Sequence, residues 1–202
     1  MKKNVVLVGI ILLIISIELF IYREISYKKI DEKRINIHDI TGSGAKTVDT
    51  DVYLNATFIA DSLASVKNDD KNSFYVIFGD EVQYIVYMNN SKAKDISTYL
   101  LNNPSKSYRI VGKTKLIPES LESYGRDFVK HWLDVNHDHT VSSENHSHEI
   151  SKEEFYEYFG YVYLDATISI FSEFRILSII MYIISGIGLS IIFSKIYVKF
   201  VN

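Results

Sequence analysis

Five of the six histidines fall at 131, 137, 139, 146 and 148, inside a window of strong negative charge. From His131 to Glu157 there are seven acids (Asp134, Asp138, Glu144, Glu149, Glu153, Glu154 and Glu157) against one base, Lys152. Neutral imidazole nitrogens paired with carboxylates suit borderline metals. His137-x-His139 and His146-x-His148, with Asp134 or Glu149, are therefore candidate ligands for zinc, nickel or copper. Nothing in the spacing sets the two His-x-His pairs relative to each other. The competing expectation is a solvated acidic loop, residues 134–150, lying away from the core.

The oxygen donors of the same stretch allow a different metal. Asp134-x-Asn136-x-Asp138 follows a helix-like FVKHWL and offers oxygens at alternate positions, as a hard cation needs. Ile150-Ser151-Lys152-Glu153-Glu154 then supplies an apolar residue, a hydroxyl and an acid in the order of the end of a calcium loop. The pattern resembles an EF-hand, which implies calcium held by Asp134, Asn136, Asp138, Ser151 and Glu154. Two departures stand out. His139 occupies the position where the sharp turn calls for glycine, and Glu154 falls nine residues beyond the end of a twelve-residue loop. Thr140–His148 would be an insertion. Without it, position 12 is Asn145, a poor ligand.

Other chemistry is sparse. With no cysteine, disulfides, thiolate metal sites, cysteine nucleophiles and a lipoprotein anchor are excluded. A net charge of −3 without a basic stripe gives no reason to expect nucleic acid. No nucleophile elbow, P-loop, HExxH or dinucleotide fingerprint is present, so a non-enzymatic protein is expected.

The elements that must position these residues are set between two apolar segments. Val5–Tyr22 runs eighteen residues with Glu18 as its one acid, about 27 Å as a helix. A cleavable signal would need small residues before the cut, and none are suitably placed between Leu19 and Ile30, so an uncleaved anchor over 4–22 is expected. Ile176–Ser194 is nineteen residues without a charge, bounded by Arg175 and Lys195, and reads as a second transmembrane helix over 176–194. Gly186, Ser190 and Ser194 recur every fourth residue, which predicts a face where another helix approaches closely. Gly9 and Ser16 are candidates for the opposing surface. The implied partners are the lipid bilayer and another membrane protein, or a second copy through that face. Lys2 and Lys3 before the first span compete with Arg23, Lys28, Lys29, Lys33 and Arg34 after it. Because long loops translocate largely regardless of charge, both termini are expected in the cytoplasm and the central domain outside.

Between the spans, residues 23–45 read as a charged juxtamembrane helix and linker ending in the flexible TGSGA. Residues 46–170 read as an α+β domain, a small and mostly antiparallel sheet or OB-like barrel. Strands are expected at Thr47–Phe58, at Ser73–Phe78 and Glu81–Met88 around Gly79-Asp80, at Ser107–Ile117, and at Tyr161–Ile168. Gly112 is expected to mark a bulge or bend. Helices are expected over Ala93–Leu101, from Pro118 to about Leu133, and from the N-cap Ser151 to Gly160. DVYLNAT at Asp51–Thr57 is echoed by YVYLDAT at Tyr161–Thr167, suggesting neighbouring strands that bring both membrane connections to one side. Together, VYLNAT, YIVYM, SYRIVGKTKLIPESL and EEFYEYFGYVYLDAT between two spans resemble uncharacterised two-span membrane proteins of low-GC Gram-positive bacteria. That resemblance implies location and fold, and no activity.

Overall fold

A computed structural model describes residues 2–79, 82–137, 149–167 and 174–201. The chain forms two compact units, Met1–Lys33 with Ser169–Asn202, and Arg34–Ile168.

The first unit is a pair of helices, α1 (Lys2–Glu32) and, last in the chain, α6 (Arg175–Val201). Each contains a stretch long and apolar enough to cross a membrane. They run antiparallel: Gly9 lies against Gly188 and Ile192, Ser16 donates to the Met181 carbonyl at 3.2 Å and bonds Ser185 Oγ, and Arg23 reaches Ser178 Oγ at 3.2 Å. The apolar stretches thus lie abreast. Gly9, Ser16 and Arg23 are seven residues apart, the repeat of a seam between two long helices. Small residues let the backbones close in; a Cβ on either Gly9 or Gly188 would stand 3.0 Å from the other's carbonyl oxygen. Gly9 and Ser16 therefore lie in the contact as expected, but the opposing face is Met181, Ser185 and Gly188. Gly186, Ser190 and Ser194 are exposed, and nothing comes within 4 Å of a Cβ placed on Gly186.

The second unit begins earlier than the sequence suggested. β1 (Ile35–Asn36) and the short α2 (Ile37–Thr41) belong to it, with Ile37 and Ile40 in the core. The described strands continue with β2 (Asp51–Ala56), β3 (Phe58–Val66), β4 (Asp69–Gly79), β5 (Val82–Asn89), β6 (Tyr108–Leu116) and β7 (Val162–Asp165). They form one sheet in the order β1-β2-β6-β7-β5-β4-β3. The β1/β2 and β5/β7 pairs are parallel and the rest antiparallel. The sheet is mixed and open, so the OB-like barrel is replaced by the open α+β sheet.

The echoed strands are not direct neighbours; they flank β6. Asp51 and Asp165 both pair with Lys113, so the chain enters β2 and leaves β7 abreast of one residue. Val52, Leu54 and Ala56 and their counterparts Val162, Leu164 and Ala166 point into the same core. Gly112 makes no bulge, since the β2–β6 register runs unbroken through it. Its missing side chain instead makes room for the backbone of Asp165 and Ala166.

Helices cover both faces. α3 (Asn90–Asn102), capped by Asn89, packs Ala93, Ile96 and Leu100 with α2 on one side. α4 (Glu119–His137) and α5 (Lys152–Phe159) cover the other through Leu121, Val129, Phe155 and Phe159 over Phe74, Val76 and Ile85.

Candidate functional site

The acidic, histidine-rich segment is rooted in α4 and α5. α4 turns Leu121, Gly125 and Val129 inward at helical spacing. Gly125 lets the Phe155 ring sit where a Cβ would be, which brings the two helices into close contact. Between them Glu122, with a side chain 9% exposed, pairs with Lys152 at 3.1 Å and accepts from the Tyr156 hydroxyl. Burial pushes the Glu122 carboxyl up, but the bonds from Tyr156 and Lys152 outweigh it and hold the group below its ordinary value. Burial, then Glu122, raises the Tyr156 phenol. Tyr156 stacks on Tyr161 at 4.4 Å, and the Lys46 ammonium lies over the Tyr161 ring, also at 4.4 Å. Tyr156 is not poised as a base.

Beside this clamp lies a cavity of about 340 Å³ lined by Ser123, Arg126, Asp127, Lys130, Glu149 and Ile150. Arg126 donates from Nη1 to the Ile150 carbonyl at 3.5 Å, while its Nε is buried without a partner among the described residues. Two acids and two bases balance, so the described wall favours neither a cation nor an anion. The sequence reading missed Arg126, Asp127 and Lys130. The signal was there in the polar face of α4 continuing upstream of Asp134.

The predicted ligands divide three ways. Asp134 is exposed on the last turns of α4, which runs on to His137 instead of stopping near Leu133. Asp134 and Asn136 are therefore helical positions and not the start of a loop. Ser151 and Glu154 form a capping box. Ser151 Oγ accepts from the Glu154 amide at 3.1 Å, and the Glu154 carboxylate accepts from the Ser151 amide at 2.8 Å. The S-x-x-E spacing read as the end of a calcium loop is thus also a helix start. Asp138, His139, His146 and His148 lie outside the described residues, as do the side chains of Asn136 and His137. Among the described residues no group of three His, Asp or Glu side chains is placed to hold a metal.

No protein-family profile, curated protein or solved structure matches this chain.

Proposed function

We propose that the chain is a non-enzymatic, two-span protein of the cell membrane, with both termini in the cytoplasm and its α+β domain presented outside, accessory to another membrane protein. The observation that carries this is the helix pair. Its two apolar stretches lie abreast, and away from the seam it exposes large apolar side chains such as Ile10, Ile17, Phe20, Ile183 and Phe193. An apolar surface of that kind marks membrane or protein contact, and a helix satisfies its own backbone polar groups in hydrocarbon. The length of the segment between the spans supports its translocation. The exposed Gly186, Ser190 and Ser194 on α6 support an approach by a further helix, from a partner or from a second copy.

Purification in mild detergent tests the accessory role. A stoichiometric membrane partner or a stable homo-oligomer is expected, and a partner-free monomer would remove it. A second reading, a surface protein that binds or senses metal, draws support from the sequence alone, the seven acids and five histidines between His131 and Glu157. Calorimetry of the full chain in detergent, with millimolar calcium and then micromolar zinc, tests it; no heat with either ion ends it.

A further inference from the structure

We propose that Glu18 is the contact through which α1 docks a membrane helix of a different protein, one that carries a lysine or arginine at the same depth. This rests on the two-span reading above. Gly9, Ser16 and Arg23 set the side of α1 that faces α6. Glu18, two positions past Ser16, lies off that side. It is exposed and makes no hydrogen bond or ion pair with any described residue. One turn to either side stand Ile14 (50% exposed), Ile15 (39%), Ile21 (50%) and Tyr22 (62%), so a lone carboxylate interrupts an otherwise apolar surface.

An ionisable group inside a span is costly and is generally paired or functional. Arg23, about 7 Å further along the axis, does not serve Glu18. Its guanidinium pairs with Glu24 at 2.5 Å, bonds Ser178, and lies 4.9 Å from the Phe20 ring centre. A second copy of the chain does not serve either. Neither Val5–Tyr22 nor Ile176–Ser194 contains a base, and a symmetric dimer on this face would set Glu18 against Glu18. Charge complementarity therefore selects a different chain. Tyr22 and the isoleucines supply the apolar rim around the pair.

The test is photo-crosslinking of the full chain in native membranes, with the reactive residue replacing Ile14 in one variant and Tyr22 in another. Both are expected to capture one protein, joined at a helix whose lysine or arginine lies within a turn of the crosslink. Glu18→Leu, which only makes the span more apolar, should cut the yield at least tenfold. Glu18→Gln should keep part of it, and Glu18→Lys with the partner's base changed to Glu should restore it. Capture of lipid alone, meaning that Glu18 reaches headgroup water, or of a second copy would overturn the proposal. Undiminished capture of the same protein by Glu18→Leu would overturn it too, while leaving the accessory role intact. No captured protein together with a monomer in detergent would remove both.

Discussion

Glu122 holds the root of the acidic segment through two bonds, one from Tyr156 and one from Lys152. Its depressed folded pKa has a defined sign. The carboxylate stabilises the fold fully above its ordinary value of 4.5, and that contribution is lost as pH falls through the lower folded value. Glu122→Gln should cost about 2 kcal/mol at neutral pH, the usual scale of a bond to a charged group. It should also flatten the acid side of a plot of melting temperature against pH, and an unchanged acid limb would argue against the clamp. Gly112→Ala drives a Cβ into the Asp165 carbonyl, a backbone atom that yields poorly. A loss of about 3 kcal/mol is expected in chemical denaturation, at the upper end for overpacking. Composition alone marked Gly112 as special but could not say why, because a strand glycine signals a bulge or a close neighbour equally. Ser151 and Glu154 carry the same ambiguity, since one spacing serves both a helix cap and a metal loop.

Among the elements, those with regular periodicity were legible. The β4–β5 hairpin, α3, β6, α5 and the echoed β2 and β7 all lie where alternation or capping residues predict them. β3 was missed because its register against β4 shifts at three places, between Ile59 and Ser62, Ser62 and Ala64, and Ser65 and Val66. Each shift breaks the period-two pattern that identifies a strand. The face of α6 that meets α1 differs from the small-residue row for a related reason. A long helix seam follows a repeat of 3.5 residues, as Met181, Ser185 and Gly188 do, whereas a strict every-fourth row winds away from it. The absence of native cysteine makes the seam easy to check. Ser16→Cys with Ser185→Cys should form a disulfide under mild oxidation, whereas Ser16→Cys with Ser190→Cys should not. Gly9→Leu should lower the first yield severalfold by prising the helices apart.

For the whole molecule, orientation is the property the charges leave balanced and one cysteine can decide. Lys67→Cys, on the exposed turn between β3 and β4, should react with a membrane-impermeant maleimide on intact cells. Asn202→Cys should react only after the cells are opened. The reverse pattern would place the domain in the cytoplasm.

The strands that meet beside Lys113 carry one more consequence. The chain enters the sheet at Ile35 on β1, beside Val52, and leaves it at Asp165 on β7, so the two connections of the domain lie three strand spacings, about 14 Å, apart. If the helix pair stays associated while the sheet melts, the denatured domain is a closed ring of about 130 residues, as if a cross-link joined its ends. Closing a ring of that size removes disorder from the denatured chain worth on the order of 5 kcal/mol in the chain-entropy model. A chain without a single cysteine would thus obtain from its two long apolar helices what secreted domains obtain from disulfides. The excised segment 34–168 should then melt at a lower temperature than the same domain in the intact chain in bilayers. Gly9→Leu in the intact chain should close part of that gap.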